Sequence, residues 1–129
     1  MDIADALKHL EQNRAGVLTT LRADGSPHAT VVGVAVVEGR LWISSTQDRV
    51  KTKNVRGDSR VVFTAGIRPW AAIEGRATIQ DGDDVLERLR LYYRTAAGDH
   101  PDWNEYDDAM IRERRLIIDV EPGRAYGSS

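Results

Sequence analysis

At 129 residues the chain suits one hydrophobic core and a single domain, 1–129, small enough that pairing with a second copy would bury further surface. It contains no cysteine, which excludes disulfides, thiolate nucleophiles and thiolate metal sites and fits a reducing cytoplasm. A net charge of −2 and a pI near 5.9 argue against nucleic-acid binding, which draws its affinity from broad cationic surfaces. The start, Met1 to Asp5, is acidic, and no window approaches ~18 uninterrupted apolar residues, so neither a signal peptide nor a membrane span is expected.

Ile3, Ala6, Leu7 and Leu10 recur at helical spacing before the polar Glu11 to Arg14, predicting a short amphipathic helix. Residues 15–21 and 28–37 are β-branched runs joined by Arg22 to Pro27, where Asp24-Gly25 is a strong hairpin signal. A second turn at Glu38-Gly39 returns the chain over 40–45, so three consecutive antiparallel strands are expected to form a meander. Gly33 weakens the middle strand unless the chain bends there or something approaches closely. Strands over 60–65 and 70–79 follow the break at Gly57 to Ser59. A helix then runs from an aspartate cap within Asp81 to Asp84 as far as Gly98, and a second covers 102–114 after Pro101. A strand over 115–122, bounded by Pro122, and a tail strand over 124–127 close the chain. This order predicts a closed or nearly closed antiparallel barrel with helices packed on it, an open α+β sheet being the alternative.

The segment 46–56, Thr-Gln-Asp-Arg-Val-Lys-Thr-Lys-Asn-Val-Arg, follows the apolar strand 40–45 directly. Thr46 or Asp48 can cap a short helix whose first turn presents free backbone N–H groups, and Arg49, Lys51, Lys53 and Arg56 crowd that end. Cations ordinarily favour the opposite end of a helix, so this gathering points to a phosphate-type anion; a solvated basic turn is the alternative. Trp42 and Trp70 offer stacking surface or belong to the core, and Thr30, Ser44, Ser45 and Thr46 can bond ring edges or polyol hydroxyls. His9, His28 and His100 are too scattered for a metal site, and there is no nucleophile elbow, dinucleotide fingerprint or Walker loop. Redox chemistry would need a borrowed cofactor, and a planar phosphorylated one suits an apolar wall beside a cationic clamp.

Residues 17–28 resemble the opening hairpin of the flavin-binding split barrels related to pyridoxamine 5′-phosphate oxidase, 44–55 resemble their phosphate clamp, and 72–77 resemble their following strand. The pattern Arg49-x-Lys51-Thr52-Lys53-Asn54, the segment 91–94 with 98–103, and the ending 114–118 with Tyr126-Gly127 resemble the subfamily that binds the deazaflavin F420. The resemblance implies a mainly β fold, a split antiparallel β-barrel of about six to seven strands with flanking helices. It implies a homodimer with cofactor sites at the subunit interface and an F420-dependent reductase passing hydride to a small conjugated acceptor. An FMN-dependent oxidoreductase of the same fold and a non-catalytic flavin or deazaflavin binder are the alternatives. By position, Thr30, Val31 and Val32 would line the ring, and Ser44, Ser45, Thr46, Gln47 and Asp48 would follow the polar chain. Arg49, Lys51, Thr52 and Asn54 would hold the phosphate, with Val50 among the cofactor-binding residues, while Arg68 and Trp70 would reach in from the other subunit. Lys53 and Arg56 continue the basic line along which the acidic tail of F420 would leave. The arginine of the vitamin oxidases is missing around Thr30, and no catalytic side chain is identified.

Overall fold

A computed structural model describes residues 1–128. The elements are α1 (Ile3–Gln12), β1 (Ala15–Leu21), β2 (Pro27–Gly33), β3 (Ala35–Val37), β4 (Arg40–Thr46), α2 (Val50–Gly57), β5 (Arg60–Gly66), β6 (Trp70–Gln80), α3 (Val85–Ala97), α4 (Trp103–Arg112) and β7 (Arg115–Ser128). All strand pairs are antiparallel, in the order β2-β1-β5-β6-β7-β4-β3. The two ends of that order are neighbours in the chain, separated only by Val34, so the sheet curls until its edges approach each other. The result is the split barrel expected from the sequence, with seven strands.

The expected strand over 28–37 is in fact two. Val34 leaves the ladder and its amide donates to the Arg14 carbonyl at 2.8 Å, so the residues before it pair with β1 and those after it with β4. The three-stranded meander is therefore absent: β4 lies between β3 and β7. Gly33 sits at the corner where the run changes partner.

Nor does Pro122 end the last strand. β7 continues to Ser128 because the ladder is irregular between Glu74 and Gly75, and Pro122 lies opposite Gly75 at that bulge. A side chain on Gly75 would run into the Glu121 carbonyl oxygen. Gly75→Ala is accordingly expected to destabilise by about 1–3 kcal/mol, read as a lower urea midpoint.

Alternation along the strands sorts side chains into two cores. Leu18, Leu41, Ile43, Phe63, Ile73, Leu116, Ile118 and Val120 belong to the barrel interior, joined by Ala6 and Leu10 of α1. Ala35, Val37, Trp42 and Ile117 form the second core with Leu89 of α3 and Tyr106 of α4. β4 and β7 thus bury both faces, which is why 116–118 reads as an unbroken apolar run. The opposite side of the sheet is covered at Ala72 and open toward β2 and at Tyr126. One register row, Val31, Val17, Thr64, Ala72 and Tyr126, crosses it from β2 to β7, with Val31 78% and Val17 38% exposed.

Candidate functional site

The turn after β4 leads into α2 with Arg49 at the cap position, and no side chain caps the first turn. Both expected caps are engaged elsewhere. The Thr46 hydroxyl donates to Asp48 Oδ1 at 2.6 Å, and the Thr46 carbonyl accepts the Thr52 hydroxyl at 2.8 Å. Among the described residues the amides of Val50, Lys51 and Thr52 have neither an intrahelical nor a side-chain partner, the Lys53 amide being the first to bond, to the Arg49 carbonyl at 3.1 Å.

Lys51 stands half-buried beside these amides. Burial first, then the Arg49 and Arg115 guanidinium groups, push its ammonium below the usual lysine range. Among the described residues no ion pair joins Lys51 to a carboxylate. Asp48 is fully exposed, held below the usual carboxylate range by the Thr46 hydroxyl first and more weakly by Arg49 and Lys53. A half-buried cation facing two others at an uncapped helix start is short of negative charge, and phosphate oxygens would supply it.

The other residues singled out divide by orientation. Ser45 Oγ lies 2.8 Å from Thr52 Oγ1, both buried, and Asn54 Nδ2 donates to Thr20 Oγ1 on β1 at 3.0 Å, so this trio pins α2 to the barrel. Gln47 Nε2 donates to Asp81 Oδ2 at 3.3 Å. Arg56 Nη2 donates to Gln47 Oε1 at 2.8 Å and to Asp81 at 3.0 Å, which removes Arg56 from the expected free basic line. Lys53 remains exposed and outside any ion pair among the described residues. On β2, Val31 is exposed, Thr30 is half-buried and Val32 packs against the barrel core. Arg68 is exposed in the β5–β6 connection, and Trp70 meets Tyr126 edge-on at 6.2 Å between centroids. Trp42 is core, 6% exposed beneath α3, with the Arg88 guanidinium 5.7 Å from its ring centroid.

Arg115 escaped sequence reasoning as a site residue. Register places it opposite Thr46, so β7 adds a third cation to the start of α2, with Glu113 2.9 Å from its Nη2. Tyr92 escaped as well; its hydroxyl donates to the Gly33 carbonyl at 3.0 Å and fastens α3 to the barrel corner. Neither contact has a local signal, because both depend on pairings between distant parts of the chain.

No helix among the described residues is long and apolar enough to cross a membrane. The sequence profile of the family described as Pyridoxamine 5'-phosphate oxidase matches residues 3–128. The chain is 30% identical over 130 residues to F420H(2)-dependent biliverdin reductase from Mycobacterium tuberculosis strain CDC 1551 / Oshkosh, covering 97% of this chain and 87% of that protein. The crystal structure of a conserved hypothetical protein from Mycobacterium tuberculosis superposes with a TM-score of 0.81 at 25% identity, covering 100% of this chain and 85% of the other. General Stress Protein 26 from Bacillus anthracis str. Sterne shares the fold, with a TM-score of 0.68 at 18% identity over 96% of this chain and 92% of its own. Profile, relative and fold agree along nearly the whole length, and the chain belongs to the pyridoxamine 5′-phosphate oxidase-like split-barrel family.

Proposed function

We propose that the protein is an oxidoreductase that binds the deazaflavin F420 and reduces a small conjugated organic acceptor. The observation that carries this reading is the start of α2, where Lys51, half-buried and without a carboxylate partner among the described residues, faces Arg49 and Arg115 beside uncapped amides. The relative named for F420H(2) supports the choice of cofactor.

When bound and reduced, the deazaflavin supplies the hydride. The chain binds and orients. Arg49, Lys51 and the first-turn amides of α2 would hold the phosphate, with Val50 beside them; Ser44 and Asp48 would meet the polar chain; and Thr30, Val31 and Val32 would form the ring wall. Ser45, Thr46, Gln47, Thr52 and Asn54 support that surface from behind, through the bonds that fix α2 and its preceding turn.

Side-by-side titration with F420 and FMN tests the reading, and F420 is expected to bind at the lower concentration. Protein that purifies yellow with FMN bound would overturn it in favour of an FMN enzyme. Turnover of reduced F420 with an acceptor dye separates an enzyme from a cofactor carrier. Lys53 provides a finer check. With Arg56 engaged, it is the cation left for an acidic tail, so Lys53→Ser should lower F420 affinity by about 0.2–1 kcal/mol and FMN affinity by less. Added salt should erode that difference, because exposed charges are screened over ~8–10 Å.

We assign the open sheet face bearing Val31, Val17 and Tyr126 to a homodimer contact, across which Arg68 and Trp70 would reach the partner's cofactor. Sedimentation at micromolar concentration should show a dimer, and Val31→Glu should yield monomers. A monomeric wild type that still binds cofactor tightly would refute the shared site.

A further inference from the structure

A cleft of about 450 Å³ lies where α3 and α4 meet β4 and β7, a size within the roughly 300–1,000 Å³ of small-molecule sites. Tyr92 and Tyr93 of α3 and Tyr106 and Met110 of α4 supply apolar and aromatic wall, while Ser44, His100, Glu105 and Arg115 are its polar members. Its position, its cation and a fixed donor determine what it can hold.

The cleft borders the cofactor surface. Tyr92 bonds the Gly33 carbonyl, next to the ring wall at Val32, while Ser44 and Arg115 lie on β4 and β7 where those strands meet the start of α2. A molecule in the cleft therefore lies beside a ring held on β2.

Its cation, Arg115, donates from Nε to Glu113 Oε1 at 3.0 Å with Nη2 2.9 Å from the same oxygen, and keeps Nη1 outside any ion pair or hydrogen bond among the described residues. Glu113 pairs with Arg115 but is itself 40% exposed, so water weakens that attraction. Tyr92 and Tyr106 stay neutral and do not compete: burial raises the Tyr92 hydroxyl and pushes Tyr106 up to about 12. Glu105, the carboxylate in the wall, is exposed in the first turn of α4, where the helix dipole favours it.

His100 is the fixed donor. His100 Nδ1 accepts the Asp102 amide proton at 2.9 Å, which leaves the proton of the neutral imidazole on Nε2. The ring is held by Tyr93 and Tyr106, with centroids 5.0 and 5.4 Å away.

We propose that this cleft is the acceptor site and takes a flat conjugated carboxylate, its ring system against the tyrosines, its carboxylate on Arg115 and a carbonyl oxygen on His100 Nε2. The chemistry rests on the F420 reading; the binding does not. Anthraquinone-2-carboxylate and its neutral analogue 2-(hydroxymethyl)anthraquinone, titrated calorimetrically into protein without cofactor, test it. The carboxylate should bind wild type at least ten-fold more tightly than the neutral compound, and Arg115→Gln should abolish that preference. His100→Phe, which keeps the ring packing, should weaken both probes about three- to ten-fold. Met110→Trp, or Ala109→Leu should the first variant unfold, should fill the cleft and block both probes while F420 affinity stays within two-fold. Unchanged probe binding in the filled variants, or a charge preference independent of Arg115, would overturn the proposal. Probe binding as described without any F420 binding would uphold the cleft and refute the cofactor reading; F420 binding with no probe binding would refute the cleft alone.

Discussion

Replacing Arg49 by serine together with Lys51 by alanine is expected to weaken F420 binding by about 3–6 kcal/mol, the loss of two charge-assisted hydrogen bonds of about 1.5–3 kcal/mol each. The two cations would share one ligand, so the single variants need not sum to the double, and a double-mutant cycle measures the difference. The discriminating readout is stability without ligand. A cation serving only structure is missed when it is removed, whereas Lys51 is desolvated and faces two arginines, so its loss relieves repulsion. The melting temperature should hold level or rise while binding collapses. A fall of several degrees with unchanged affinity would reduce the cluster to scaffolding. The pH dependence carries the same signature. Lys51 is held below its ordinary 10.5 in the folded chain, so between the two values the unfolded state binds more protons and the lysine's contribution to stability rises with pH. An anion favours the charged ammonium, so its binding should weaken as pH climbs through that window.

Phe63→Ala is expected to cost about 3–5 kcal/mol, a large part of the roughly 5–15 kcal/mol that holds a domain together. Phe63 is fully buried mid-strand, opposite Leu18 on one side and Ile73 on the other. Strands hydrogen-bonded on both flanks cannot move inward to fill the space, so most of the cavity should persist. Urea unfolding at one fixed protein concentration measures the loss, since any dimer adds a concentration term. A cost below about 1.5 kcal/mol would show that the barrel interior repacks.

Local signals were readable wherever one residue decides an outcome. Gly98 stops α3 at φ 82° as expected, whereas the caps Asp2 on α1 and Asp102 on α4, which accept nearby amides, were not singled out beforehand. Local signals misled where a stronger partner competed. The aspartates before α3 do not cap it, because Asp84 binds Arg88 and Asp81 binds Arg56. Thr46 and Asp48 satisfy each other and leave the start of α2 open. The division of 27–37 into two strands follows from closing the sheet, which no window of sequence reports. The site shows the same split. Its continuous part stood out, 46–56 as a charge pattern with the hydroxyls of Ser44 and Ser45 before it, whereas Arg115 and Tyr92 arrive through β4–β7 pairing and the docking of α3.

The position of β7 between β6 and β4 governs how the chain matures. Both flanking strands are translated well before it, β4 by about half the chain's length. A growing polypeptide can form the β1–β2 hairpin and add β5 and β6, yet β4 and β6 each keep an unsatisfied edge until the final segment emerges. Those edges are templates for pairing with other chains, and the nascent protein carries both at once. A product truncated before Arg115 would therefore be no smaller barrel: it would be a sheet open at two places, a substrate for chaperones or a seed for aggregation.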